Sequence, residues 1–229
     1  MSYSFHDYIS HYPYLFSQFI WLMFYIAGFI IFRKYYREIL FAGLFALPQA
    51  LLAIPLFSKT WLPERVMGGI IGPEDFIFVF LAGGMSLMTV LWRPEIRVRI
   101  DPNVAGVIRR TALTATFALI AVAALYFIGI RGYNNPFIVM LCWSIMVIVQ
   151  SKAGYKMFFT GAIIFALVYF IGVVIILCIW PDLPSVFQMD QLWGITILKV
   201  PAEEFVWAFL YGGTWCLTVD YLLNGRRLG

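Results

Sequence analysis

The chain has 229 residues, of which 62% are hydrophobic and only 12% charged, and its mean hydropathy is +0.87. These values exclude an ordinary soluble domain and mark an integral membrane protein. The net charge of +4 calls for no nucleic acid partner, because basic residues in such a chain report topology.

Residues 1–13 lack the basic start and short apolar core of a cleavable signal, so the first apolar run is expected to be a retained span. Crossing a hydrocarbon core about 30 Å thick takes roughly 20 apolar residues. Seven segments qualify: 14–32, 39–57, 74–92, 111–130, 136–150, 157–180 and 203–223. Each is predicted to be helical, since an open strand would leave backbone groups unpaired in lipid. Pro48 and Pro55 are expected to kink the second, with Gln49 satisfying the freed backbone. The connection 181–200, which carries Trp193, is expected to cover the outer end of the bundle.

Basic residues set the orientation. Arg33, Lys34, Arg37, Arg93, Arg97, Arg99, Arg109, Arg110, Lys152, Lys156, Arg226 and Arg227 fall on one side of these spans, and Lys59, Arg65, Arg131 and Lys199 on the other. That is 12 against 4, which places the amino terminus outside and the carboxyl terminus in the cytoplasm of a cell-membrane protein.

Two of the spans open alike. Glu74-Asp75-Phe76 leads to Gly83-Gly84, and Glu203-Glu204-Phe205 leads to Gly212-Gly213, 129 positions later. Two spans of equal orientation separated by an odd number of helices predict an all-α seven-transmembrane bundle. It is read as two parallel three-helix repeats, 14–92 and 136–223, joined by a linker helix at 111–130 within one membrane domain.

Carboxylates at the edge of an apolar segment are costly and are functional suspects. A proline followed by acids also suits a helix amino terminus, so capping is the plain alternative for each pair. The repetition of aromatics and glycines in register favours a shared site formed by Glu74, Asp75, Glu203 and Glu204. Phe76, Phe80, Gly83 and Leu87 form one stripe, as do Phe205, Phe209, Gly212 and Cys216, and for the glycines alone close helix packing is the simpler account. A ring-lined groove capped by acids suits proton-initiated carbocation chemistry on a very apolar substrate. One carboxyl donates to an alkene and another accepts the final proton. Phe76, Phe80, Trp207, Phe209 and Trp215 are the candidate substrate-binding rings that stabilise positive charge without trapping it.

The motifs Pro201-Ala202-Glu203-Glu204-Phe205 and Gly72-Pro73-Glu74-Asp75-Phe76, with Trp61-Leu62-Pro63-Glu64-Arg65-Val66-Met67-Gly68 upstream, resemble the lycopene cyclase domain of the heterodimeric and fused type. That family occurs in actinobacteria, archaea and fungi, as two small membrane subunits or one chain carrying both. The resemblance covers the chain's length, its repeated plan and both motifs. It implies an isomerase, an intramolecular lyase of carotenoid biosynthesis, that turns the linear end group of a polyene or related isoprenoid into a β-ionone ring. It also implies no flavin or nicotinamide, and the chain carries no dinucleotide fingerprint.

Other classes are weighed on the same residues. A small transporter of three-plus-one-plus-three helices fits Pro48-Gln49, but the sixth span carries no matching Pro-Gln step. A retinal protein lacks its lysine within the last span, because Lys199 precedes it. Adjacent acids lack the spacing for magnesium and diphosphate, and Cys142, Cys178 and Cys216 have no partners for a disulfide or zinc, so no metal is expected. His6 and His11 read as solvated tail residues, Asp220 as interfacial, and Arg93 to Arg110 as a cytoplasmic loop. The expected partners are the lipid bilayer and the apolar substrate, with a homodimer left open.

Overall fold

The computed structural model describes residues 11–52, 56, 60–94, 96, 98, 103–149 and 154–224. His6, Pro55, Lys59, Arg97, Arg99, Lys152, Arg226 and Arg227, used above, lie outside the described residues.

Seven α-helices run through the described residues: α1 (Pro13–Ile31), α2 (Tyr36–Ala46), α3 (Pro73–Met88), α4 (Val104–Phe127), α5 (Asn134–Val149), α6 (Gly154–Ile179) and α7 (Ala202–Asn224). Three are long and apolar enough to cross a membrane, namely Pro13–Ile31, Val104–Phe127 and Gly154–Ile179; Asn134–Val149 is apolar but shorter. The exposed side chains fit a lipid surround. Phe19, Met23, Ile26 and Ile30 on α1, Leu119, Ile120 and Phe127 on α4, and Leu167 and Ile171 on α6 all face outward, the reverse of a soluble protein.

Three boundaries differ from the expectation. Pro48 does not merely kink the second helix: α2 ends at Ala46 and a 3₁₀ segment, Leu47–Leu52, takes over, as a proline that lacks an N–H and crowds the preceding turn requires. The third helix stops at Met88, and turns carry the chain through Trp92. The fourth begins at Val104, so Arg109 and Arg110 belong to a helix and not to a loop. Asn103 caps α4 through its side chain on the Gly106 N–H (3.0 Å), and the Arg110 guanidinium donates to the Leu222 carbonyl near the end of α7 (2.8 and 3.0 Å).

Two helices form the centre. α3 packs chiefly on α2 and then α1; α7 packs chiefly on α6 and then α5; α3 and α7 meet each other. Glycine permits these approaches. A Cβ on Gly83 would stand 2.7 Å from the Ala42 carbonyl oxygen of α2, and one on Gly212 would stand 2.7 Å from the Gly161 carbonyl oxygen of α6. Between the centres, the Ser86 hydroxyl donates to the Gly212 carbonyl (3.0 Å).

The connection into α7 holds 3₁₀ turns, Leu183–Val186 and Met189–Gln191, and a short hairpin of β1 (Thr196–Ile197) and β2 (Val200–Pro201). Its tip residues Leu198 and Lys199 both take positive φ, 53° and 65°. This connection reaches the first half of the chain, where Phe187 pairs with Trp61 by backbone and by ring (centroids 4.6 Å apart).

Candidate active site

Each acid pair splits in two. Glu74 and Glu203 are fully buried and hold the loop that precedes their helix, Glu74 Oε1 accepting the Val66 N–H (3.1 Å) and Glu203 Oε1 the Trp193 N–H. The second carboxylate oxygen of each has no hydrogen-bond partner among the described residues. Asp75 and Glu204 turn the other way, onto the wall of one cavity of about 430 Å³. That volume is within the roughly 300–1,000 Å³ usual for small-ligand sites.

Their surroundings are built differently. Asp75 Oδ2 accepts Arg65 Nε (2.8 Å) in a buried ion pair and the Gly72 N–H (2.8 Å), so it does cap α3, while its Oδ1 accepts the Tyr14 hydroxyl (3.0 Å). Glu204 caps nothing and has no basic partner among the described residues. Its Oε1 accepts the Tyr133 hydroxyl and its Oε2 the Tyr169 hydroxyl (2.5 Å). Tyr133 precedes α5; burial first, and then the Glu204 carboxylate, push its phenol up, so it stays protonated and donates.

The rest of the wall is mostly aromatic. From Glu204 the cavity face of α7 runs through Trp207, Tyr211 and Trp215, stacked at 4.8 and 5.7 Å. Phe78 of α3 lies 5.7 Å from Trp207, and Phe45 of α2 stacks on Trp215 at 5.6 Å. Tyr169 joins the halves: its ring stacks on Trp21 of α1 (5.1 Å, 12°) while its hydroxyl holds Glu204. Leu183, Pro184, Phe187 and Val200 of the long connection close one side.

A family model described as lycopene cyclase matches residues 133–222. The chain resembles the lycopene cyclases. The match takes in Tyr133, Tyr169, Glu203, Glu204 and the ring ladder to Trp215, whereas Glu74 and Asp75 lie before it. It supports a cyclase-like, carotenoid-directed function. No curated protein and no solved structure matches the chain.

Of the residues the sequence singled out for a lycopene cyclase-like site, Asp75, Glu204, Trp207 and Trp215 lie on the cavity wall. Phe76, Phe80 and Phe209 do not, which corrects their placement in the groove. The reason is helical phase. The stripe chosen from sequence starts one residue after the acid, about 100° round the helix, whereas the cavity stripe starts at the acid itself and continues at i+3, i+7 and i+11. Phe80 instead packs on Tyr25 (5.6 Å) and against Gly43, and Phe209 packs edge to face on Phe158 of α6 (6.1 Å). Phe76 is partly buried away from the cavity.

Tyr14, Tyr133, Tyr169 and Arg65 were not singled out as site residues from sequence. A signal existed for two of them, since Tyr14 and Tyr133 each stand at the start of the first helix of their half, within three residues of a proline. Among the described residues no group of three His, Cys, Asp or Glu side chains converges to hold a metal.

Proposed function

We propose that the chain is a membrane-embedded cyclase that closes a ring on the end of lycopene or a related isoprenoid, an intramolecular lyase reaction with no net redox change. One observation carries this: carboxylates from both halves, Asp75 and Glu204, lie on the wall of a single aromatic cavity. The different partners of the two acids assign their roles. Among the described residues Glu204 has only phenols to balance a charge in apolar surroundings, an expensive arrangement for an anion, so it carries the proton that is given. Asp75, held by Arg65, is the carboxylate that receives.

In this scheme the Glu204 O–H bond breaks as the terminal alkene uses its π pair to form a C–H bond. The carbocation is then attacked by the internal alkene, which forms the ring bond, and a ring proton passes to Asp75 while its C–H pair becomes the new double bond. Trp207, Tyr169 and Phe78 present ring faces to the positive charge. Phe187 and Val200 add apolar lining on one side, which disfavours water that would trap the cation as an alcohol. Glu74 and Glu203 hold the preceding loops so that Arg65 and this lining are in place.

The parallel packing of α3 on α2 and α1, and of α7 on α6 and α5, supports two three-helix repeats joined by α4. The exposed apolar faces of α1, α4 and α6 support insertion of these three helices in a bilayer, and the positive-inside count supports an outer amino terminus. The test is expression in a bacterium that accumulates lycopene, followed by pigment chromatography. β-Ring products are expected with the wild-type chain and should vanish with Glu204→Gln. Normal insertion without any ring product would remove lycopene as the substrate.

A further inference from the structure

The acids stand at one end of a long cavity, whose wall on α7 runs from Glu204 to Thr218, about 21 Å of helix. The far end is a packed floor. Trp143 of α5 donates its indole N–H to the Thr218 hydroxyl (2.9 Å), Thr218 donates to the Thr214 carbonyl (2.7 Å), and the Ser144 and Thr214 hydroxyls bond each other (2.8 Å). Volume sets the next constraint. A cavity of about 150 Å³ takes one benzene, so one of about 430 Å³ takes roughly 17 carbons, fewer than half of the about 40 in lycopene. With one end group at the acids and a floor opposite, the rest of the polyene has to leave through the side.

The side that meets lipid is α4. Only Thr114 and Val122 of this helix are buried, and its main contacts are with α5 and α7. Toward the acids Leu56 packs with Val122 and Val139 and closes the wall. Nearer the floor, where Phe117 turns onto Trp143 (5.4 Å), α4 presents the small side chains of Ala115 and Ala118. Leu119 lines the cavity and is nevertheless 59% exposed. Ala115 and, across from α4, Pro48 of the 3₁₀ segment likewise combine a place on the cavity wall with exposure on the outside.

We propose that α4 from Ala115 to Leu119 and the 3₁₀ segment at Pro48 frame a side opening to the bilayer, in which the remainder of a long linear isoprenoid lies while its end group is held at the acids. This deepens the cyclase reading and rests on it. Such a site takes one end of the polyene per binding event. A second ring then requires release and rebinding, so free product with one ring precedes product with two.

Labelling tests the opening without relying on turnover. A photoreactive diazirine analogue of leucine is placed singly at position 119 or 120, in membranes that contain the full chain and lycopene. Both positions are exposed, but Ile120 is not on the cavity wall. Polyene adducts, read by mass, should be at least about fivefold more abundant from 119 than from 120. Equal labelling overturns the opening. Ala118→Trp, which plugs it, should lower ring formation per inserted protein at least about tenfold, whereas Ala124→Trp, exposed on the same helix but off the wall, should stay within about twofold. Wild-type turnover in Ala118→Trp overturns the proposal, as does a time course in which two-ring product forms with no free one-ring product; if Ala118→Trp does not insert, the labelling decides alone. No ring from the wild-type chain together with preferential labelling at 119 would overturn the cyclase reading and keep the binding site, whereas ring formation with equal labelling would overturn the opening alone.

Discussion

Helices α3 and α7 each carry in the first turn an acid that reaches the cavity, and the two acids are compensated in different ways. In the first half Asp75 receives a guanidinium, a backbone N–H and one phenol; in the second Glu204 receives two phenols and no cation among the described residues. The frame is shared down to detail. The first acid of each pair is buried and ties down a loop through a backbone N–H, and a tyrosine at the start of the first helix of each half reaches the second acid. Two similar carboxyls at one cavity would compete for one role, whereas unequal partners divide donor from acceptor.

The sharpest way to break the comparison is at the acid without a cation. Glu204→Gln keeps the shape, accepts one phenol through its amide oxygen and donates its N–H to the other, but has no acidic proton to give, and ring formation should fall about 10²–10⁴-fold. Product per unit of inserted protein measures this. Next in size is the cation itself. Arg65→Met leaves Asp75 buried and unpaired and should cost about 3–5 kcal/mol, read as thermal unfolding in detergent. Arg65→Met combined with Asp75→Asn should recover most of that stability without recovering activity, which separates the ion pair's structural share from its chemical one.

Smaller effects test the division within each pair. Glu203 accepts the Trp193 N–H through one oxygen, and the amide oxygen of Glu203→Gln can do the same, so that variant should keep activity within about threefold. Glu203→Ala cannot accept the N–H, and should lower activity about tenfold as the connection that lines the cavity loosens. Equal collapse of both variants would return Glu203 to the chemistry alongside Glu204.

These contrasts show what could be read before the structure. Helix number and most boundaries were legible because apolar runs bounded by charge leave lipid-facing helices little freedom, and α1, α5, α6 and α7 end within a few residues of their expected limits. Arg109 and Arg110 mislead because charge suggests a loop, although an arginine on a helix can reach a carbonyl at the end of a neighbouring helix, as Arg110 does at Leu222. The acid pairs were visible as repeated letters, but which member of each faces the cavity depends on a rotation of 100°, and the sequence pattern was equally consistent with either phase. The phenols were harder still. Their partners lie 71 and 35 positions away in sequence, and no spacing rule connects a residue before one helix and a residue within another to the start of a third.

The smallest effect examines that rotation directly. Trp207 and Phe209 are two residues apart on α7, both aromatic and both partly buried, yet Trp207 lies on the cavity wall and Phe209 packs against α6. A ring facing a carbocation contributes about 0.5–2 kcal/mol, so Trp207→Leu should lower the turnover rate by roughly tenfold. Phe209→Leu removes ring area from a helix–helix contact, should cost about 1 kcal/mol of stability, and should leave turnover per folded molecule within twofold. Measuring both per folded protein is what separates them, because each reduces yield. A larger loss of turnover from Phe209→Leu than from Trp207→Leu would mean that the substrate lies along the Phe205 stripe after all, with the charge stabilised on the face of α7 turned toward α6. The assignment of Glu204 as donor would then fail with it, since a carboxyl on the opposite edge of the helix could not reach the end of the polyene.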